Sequence, residues 1–563
     1  MTVSSATSSS STSPTSALTS NVSTNLSSID WNALITSQVD AKLAAATTIQ
    51  TSITNNQAKI AAYQKLQSLL SNLANAAGPF STSNTSSLSS SAFSAATAAI
   101  TATGDVSPAA VLGMTVNNGA PSGSYTLTVQ QVAQAQKAAS ATVTSNTSAL
   151  GYIGTFSLGL AGGATANISV TSGMSLQDVA AAINAQESTT NVQASVLQVG
   201  AGQYELVLTA QNDNANIVTS SVSGDNVLNK IGATDGSGNF TDVLQTSQPA
   251  KFTLDGIQMT RNTNDISDVL TNTTFHLYQA TPPGTSLNIT LSPDTSTMTT
   301  DLQNFVTAYN ALRDYVVSQQ ATNSDGTASS SAVLFGDSTM NGLSDQIQFA
   351  ISSIVGGLSM SDLGLSFNNS NDLQLDTTTL QSTLTSKLSG VESLLANQLT
   401  ASSSNLLTIS AGDSPPSSFT LDVTVDGSGN LASASVGGDS SMFSIVGDTI
   451  IGNAGTAYSG IAFEYTGTTS QSISVTGTNG IASMIKSLAT SVSNTTNGSL
   501  QTLISGLQTQ DTSLSQQVSD IQSAASAYQI QLQTLYAKYQ AEIASASTTL
   551  NYLQALLNQK STH

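Results

Sequence analysis

From Leu514 to Leu556 the chain repeats a four-then-three spacing. The positions are Leu514, Val518, Ile521, Ala525, Tyr528, Leu532, Leu535, Tyr539, Glu542, Ala546, Thr549, Leu553 and Leu556. Only Glu542 and Thr549 interrupt the apolar run, and neither Pro nor Gly occurs from 507 to 563. A mean spacing of 3.5 residues places all of these on one face of a helix, so a long coiled-coil or bundle helix is predicted. The periodicity does not say what that face packs against. Leu550, Leu553, Leu556 and Leu557 add a stripe near the end of the given sequence, with no later segment to cover it. It is expected to make an intermolecular contact, or else to pack on the N-terminal helix of the same subunit.

A second, weaker seam lies near the other end. Asp30 is placed to cap a helix starting at Trp31 and closed by Gly78-Pro79. Within it Val39, Ala46, Ile49, Ile53, Asn56, Ile60, Tyr63, Gln67, Leu70 and Ala74 fall on alternating spacing, with Leu66 and Leu73 beside them. The polar Asn56 and Gln67 leave two readings open, a coiled-coil partner or an ordinary amphipathic helix on a globular core. Residues 1–28 are almost all Ser, Thr, Ala and Asn. They carry too little apolar surface to fold and are expected to be a disordered leader.

Between the two seams the period changes. Tyr125–Val129, Phe156–Leu158, Ile168–Val170, Tyr204–Leu208, Phe252–Leu254 and Leu287–Leu291 alternate between turn-forming residues and read as antiparallel strands. Leu176, Val179, Ala180 and Ile183 mark one short helix among them. Helical patterning returns at Met298–Val317 and Ser338–Val355, the second running through Ile354. A β pattern reappears at Phe419–Val425, Ile461–Phe463 and Ile473–Val475. The expected fold is therefore α+β and multidomain, with terminal coiled-coil-like helices forming a stalk, antiparallel β-rich head domains, and an extra β insert near the C-terminal helix. The expected division has a stalk helix at 29–78 and an outer head domain from 85–138 with 246–295. A nested head domain follows at 139–245, helical stalk at 296–400, the insert at 401–478 and a C-terminal stalk helix at 480–563.

Composition narrows the function. Charged residues make up 8% of the 563, against roughly 25% in ordinary soluble domains. The net charge is -20, with only 12 Lys and Arg spread along the chain. Counterion release from nucleic acid needs clustered cations, and an anionic lipid surface repels such a chain, so neither is an expected partner. Cys is absent, which removes disulfides, thiolate catalysis and thiolate-bound metal. Residues 1–28 show no basic region followed by an apolar one, so export is expected to use a route that reads an uncleaved N-terminus.

Chemistry-bearing motifs are missing. The two histidines are His276, at the polar-facing position of a strand, and His563. A Ser-His-Asp arrangement would depend on His276 alone, without a nucleophile elbow. Asn368–Asp372 and Gly336-Asp337 lack the spacing of a calcium loop and read as solvated turns. No cofactor, metal site or catalytic residue is expected.

Several segments resemble, in order, the flagellar filament-cap protein family, also called flagellar hook-associated protein 2. Ser28-Ile29-Asp30-Trp31 is similar to the family's opening step into a helix, and Ile60-Ala-Ala-Tyr63-Gln64 to its later seam. Tyr125–Gln136, ending in Val132-Ala-Gln-Ala-Gln136, resembles a strand ending in "LAQAQ". Ser175–Ala185 resembles a flagellin-like "INA" unit. Phe252-Thr-Leu-Asp-Gly256 with Arg261, Asn264 and Ile266 resembles "vdG…tRssNtI". Phe305–Asn310, Leu334–Ser338, Leu363-Gly-Leu365 and Leu373–Asp376 are similar to "FvdaYN", "LlGDs" and "lGi…LslD". Asn272 and Asn371 stand where the family usually has Gly.

The resemblance implies a non-catalytic, secreted protein at the tip of the bacterial flagellar filament. It would be exported through the type III apparatus and form a ring of about four to six copies, helping flagellin subunits fold and insert. Junction proteins, and a cytoplasmic chaperone at the C-terminal helix, are further implied partners. The stalk seam, Ile49, Ile53, Ile60, Tyr63, Leu70, Leu514, Ile521, Tyr528, Leu532, Leu535, Tyr539, Leu550, Leu553 and Leu557, would make the oligomer or filament contact. Another flagellar filament or junction component, or a Ser/Thr-rich surface adhesin or glycan hydrolase, are the alternatives.

Overall fold

A computed structural model describes residues 30–82 and 91–560. The expected leader at 1–28 and His563 lie outside the described residues. The chain separates into two units, one helical (30–74, 308–349 and 487–560 of the described residues) and one β-rich (75–82, 91–307 and 350–486).

In the helical unit the first helix starts at Trp31 because Asp30 caps it, its Oδ1 accepting from the Ala33 N–H at 2.9 Å. It runs 47 residues to Ala77 and passes into a 3-10 turn at Gly78–Phe80 containing Pro79. The helix expected over 480–563 is two helices, Ile481–Ser493 and Ser499–Lys560. The break comes at Asn494, whose Oδ1 accepts from the N–H groups of Thr496 and Asn497. A Cβ on Gly498 would lie 2.5 Å from the Asn494 carbonyl oxygen, so only glycine fits that turn. The 62-residue C-terminal helix is about 93 Å long.

The two long helices run antiparallel. Gln38 lies beside Tyr528 and Tyr536, whereas Asn56 lies beside Gln510 and Asp511. Ala46, Ile53 and Val518 form a small buried cluster between them, flanked by Ile49, Leu514 and Ile521.

The β-rich unit holds three antiparallel assemblies. In the first, a five-stranded sheet is ordered Ala96–Thr103, Ser286–Pro293, Gly123–Gln131, Ala250–Leu254, Ile257–Arg261. It shares a core with a three-stranded sheet of Asp265–Ile266, Thr273–Leu277 and Leu112–Val116, built on Leu127, Phe252, Phe275 and Ile289. The second assembly is inserted in sequence within the first. Its four- and three-stranded sheets enclose the helix Leu176–Asn184 and the core residues Phe156, Leu158, Ile183 and Leu206. That helix begins where Ser175 and Asp178 cap each other's backbone N–H groups. The third pairs two four-stranded sheets within 398–478 around Leu421, Ile450, Phe463 and Ile473.

One predicted element changes identity. The helix expected to run through Ile354 to Val355 stops at Ile351, and Ile354–Val355 pairs with Leu358–Ser359 in a small hairpin. Gly356-Gly357, both at positive φ, make the tight turn of that hairpin.

The two departures from glycine have a backbone explanation. Asn272 and Asn371 sit at φ +58° and +60°, the left-handed region that asparagine tolerates best after glycine. Asn371 belongs to a turn in which the Asn368 Oδ1 accepts from the N–H of Ser370 and of Asp372. The same arrangement recurs in two copies of one pentapeptide, Asp235-Gly-Ser-Gly-Asn239 and Asp426-Gly-Ser-Gly-Asn430, each Asp Oδ1 accepting from the third and fifth N–H. The solvated-turn reading of Asn368–Asp372 thus has a specific geometry.

Candidate functional site

On the C-terminal helix burial follows the four-three rhythm as far as Leu532. Val518, Ala525 and Leu532 are buried, and Leu514, Ile521 and Tyr528 are half-buried. Beyond it the inward face moves by one residue to Tyr536, Ile543 and Ser547, while Leu535 and Tyr539 are exposed. A straight helix has 3.6 residues per turn and drifts against a strict 3.5 repeat, which accounts for the slip. On the N-terminal helix Ile53, Tyr63 and Leu70 are buried, and Ile49 and Ile60 half-buried.

The pair has polar rivets. Gln38 donates to the Tyr536 hydroxyl at 2.8 Å and accepts from the Tyr528 hydroxyl at 2.9 Å. Asn56, a break in the apolar seam, donates to Asp511 Oδ1 at 2.8 Å. Trp31 packs against Tyr536 with ring centroids 5.2 Å apart, and Tyr539, Ile543 and Ala546 line a shallow hollow beside it. The C-terminal helix continues about 36 Å past Tyr536 to Lys560. There Leu550, Leu553 and Leu557 are 40%, 50% and 61% exposed.

The motif residues act as joints. The Tyr63 hydroxyl donates to Asp337 Oδ2 at 2.6 Å, and the other oxygen of Asp337 caps the helix Ser338–Ile351 by accepting from the Met340 N–H. Burial, then the neighbouring carboxylate, push the Tyr63 pKa well above the ordinary phenol value. The "INA" Asn184 bonds both the N–H and the carbonyl of Ala194, occupying part of an outer strand edge. Asn264 does the same to Ala133 and also donates to Asp213 Oδ2 at 3.1 Å. Gln134 pairs with Gln248 through both backbone groups, and Gln136 Oε1 accepts from the Ile217 N–H at 2.6 Å. These partners, up to 274 residues apart in sequence, were not visible from periodicity.

His276 has the hydrogen-bonded surface setting expected for it. Its Nδ1 is 2.6 Å from Asp265 Oδ1 and its Nε2 is 2.9 Å from the Thr115 hydroxyl. The row imitates a nucleophile–base–carboxylate array, but it crosses three neighbouring strands on a sheet and Thr115 is exposed at the surface. Acyl transfer needs oxyanion donors around an enclosed nucleophile, which a sheet face does not offer. Among the described residues no group of three or more His, Cys, Asp or Glu is placed to hold a metal, and no helix is long and apolar enough to cross a membrane.

The chain builds a helix pair from both sequence ends and β assemblies from its middle. The comparisons agree. The family described as "Flagellar hook-associated protein 2 C-terminus" matches residues 247–547, its N-terminus counterpart matches 27–136, and the "Flagellin hook IN motif" matches 155–212. The chain belongs to the flagellar hook-associated protein 2 family.

Flagellar hook-associated protein 2 of Escherichia coli K12 is 30% identical over 312 residues, 52% of this chain and 66% of that protein. The A-type protein of Pseudomonas aeruginosa is 25% identical over 297 residues, covering 48% and 61%. The chain therefore spans a little under two thirds of these relatives. The crystal structure of the flagellar cap protein FliD D1-D2-D3 domains from Escherichia coli is similar in fold, with a TM-score of 0.51 at 21% identity. The likeness covers 79% of this chain and 99% of that one.

Proposed function

We propose that this chain is the structural cap at the distal end of a bacterial flagellar filament, where it promotes folding and insertion of exported flagellin. Family membership at both ends of the chain is the observation that carries this reading. The protein acts as a secreted, extracellular ring of about four to six copies at the filament tip, by binding and confinement without a covalent step. In a strain lacking the gene, electron microscopy should show hooks without filaments, with monomeric flagellin in the medium. Normal filaments in that strain would overturn the reading.

The exposed stripe supports a contact made during capping. Leu550, Leu553 and Leu557 are apolar and open in the isolated subunit. Their partner in this reading is the filament end or junction protein after export, and a cytoplasmic chaperone before it. Leu553→Asp with Leu557→Asp places unpaired charge in that contact and should cost several kcal/mol of binding. Thermal unfolding of the isolated double variant should be nearly unchanged while capping is lost. An early melt of the isolated variant would mean the stripe is intramolecular.

A further inference from the structure

The third β assembly carries a cleft of about 730 Å³. That volume is within the roughly 300–1,000 Å³ of small-ligand sites. The strands Gln398–Ala401 and Leu406–Ala411 line it, with Ser403 and Ser404 of the turn that joins them. Glu392, from the helix Leu388–Leu395, and Glu464, from the strand Ile461–Tyr465, bring two of the chain's five glutamates to it.

Hydrogen bonds that need no ligand set this frame. Gln398–Ala401 pairs with Val475–Thr478, and Leu406–Ala411 pairs with Ile461–Tyr465. The Thr408 hydroxyl donates to the Leu399 carbonyl at 3.1 Å, and the Ser403 hydroxyl to Gln471 Oε1 at 2.9 Å. A cleft held in this way spends little ordering entropy on binding.

Three features of the lining are unspent. Glu464 is exposed and has no hydrogen-bond or ion-pair partner among the described residues. Leu407 stands directly opposite it across the strands and is 49% exposed. Gln398 Nε2 is buried with no acceptor among the described residues. No Lys, Arg or His lines the cleft.

These features select the ligand. An anion meets two carboxylates and no cation. A neutral ligand strips water from the carboxylates without returning a charge-assisted bond. Calcium takes six to eight oxygens, and no third acidic group is placed beside these two among the described residues. A cation on an aliphatic stem fits, with its head at the carboxylates and its stem along Leu407. The idle Gln398 donor adds a demand for a carbonyl, met by a turn about the amide's broad terminal torsion. Cation, stem and carbonyl occur together in a lysine or arginine residue of a peptide. We propose that this cleft binds a segment of a partner protein through one basic side chain. The contact lies outside the helix pair and does not depend on the capping role. A single such residue gives a Kd on the order of 1 mM, weakened by salt.

The test uses the full chain, with titration calorimetry and saturation-transfer NMR at low salt. The probes are the capped peptides acetyl-Gly-Lys-Ser-Gly-amide and acetyl-Gly-Arg-Ser-Gly-amide. Their glutamine counterpart is the neutral control, and spermidine is a cation without a carbonyl. At least one basic peptide should bind saturably, and more tightly than the glutamine peptide or spermidine. Glu464→Gln should weaken that binding about tenfold, the effect of losing one charge-assisted hydrogen bond. Leu407→Ser should weaken it about threefold by removing the stem's apolar neighbour. Glu187→Gln removes the same charge in another assembly and should leave the binding unchanged. The Glu464→Gln variant should melt like the parent, since Glu464 supports nothing else. Four outcomes would each overturn the proposal: no saturable binding of either basic peptide, equal binding of the glutamine peptide, tighter binding of spermidine, or an effect of Glu464→Gln no larger than that of Glu187→Gln.

Discussion

The two units are held by different means. The β-rich unit has three cores in which large side chains such as Phe156, Phe252 and Phe463 are almost fully buried. The long helix pair shares the small cluster of Ala46, Ile53 and Val518, supplemented by Gln38, Asn56, Tyr528 and Tyr536. Burial of large apolar groups dominates folding free energy, and neutral hydrogen bonds at a partly wet seam add only about 1 kcal/mol each. The β-rich unit can therefore stand without help, whereas the helix pair leaves apolar surface open and is suited to a partner.

The sharpest way to break this contrast is a matched pair of core truncations. Phe252→Ala should cost about 3–5 kcal/mol and lower the denaturant midpoint of the β-rich unit. Ile53→Ala, at a site whose neighbours can relax into the gap, should cost about 2 kcal/mol and affect the helical signal first. Calorimetry should resolve an earlier helical transition. A single transition at one temperature for both probes would mean that the units are not energetically distinct.

Tyr63→Phe sharpens the picture within the helical unit. It leaves Asp337 without its hydroxyl donor and should cost about 1–2 kcal/mol. The tyrosine's pKa is raised on folding. Its contribution is therefore complete below the ordinary phenol value near 10 and disappears as pH rises through the higher folded value. A parent-minus-variant stability difference that does not shrink in strong alkali would sink this assignment. A smaller effect is expected at Asn371→Ala, about 1 kcal/mol from the left-handed backbone, with Asn371→Gly close to neutral.

The smallest effects come from acid. Asp294, Asp362 and Asp376 have pKa values below the ordinary carboxylate range, led by bonds from the Thr297, Ser359 and Thr379 side chains respectively. Their stabilising contribution is present above pH about 4 and fades as pH falls through the lowered values. Asp376→Asn should flatten that part of the acid melt. An unchanged profile would argue that the caps are energetically silent.

How legible this was in the sequence follows the same division. Caps and long periodic runs announced the terminal helices, because a helix satisfies its own backbone and needs only local signals. Strands with large alternating residues, such as Tyr125–Val129, were equally visible. Ala96–Thr103 and Ile217–Gly224 were not, since small and hydroxyl side chains give no period-two contrast, and their strand state comes from pairing with distant neighbours. On the candidate assembly surface the inward face was readable only to Leu532. Its later rotation depends on helix geometry that a strict heptad count omits. The joints at Asn264, Gln134 and Asp337 could be matched as motifs, but their partners are set by tertiary structure alone.

The chain has a single indole, Trp31, and it rests on Tyr536, which in turn lies 6.3 Å from Tyr539. Emission excited selectively at the red edge of the absorption band therefore reports from one end of the helix pair and from nowhere else. Separation of the two helices would wet the ring and shift its emission to longer wavelength, and docking of a partner over the neighbouring hollow would shift it back. The molecule thus contains a label-free optical gauge for events at its terminal helices, readable in real time and in unmodified protein.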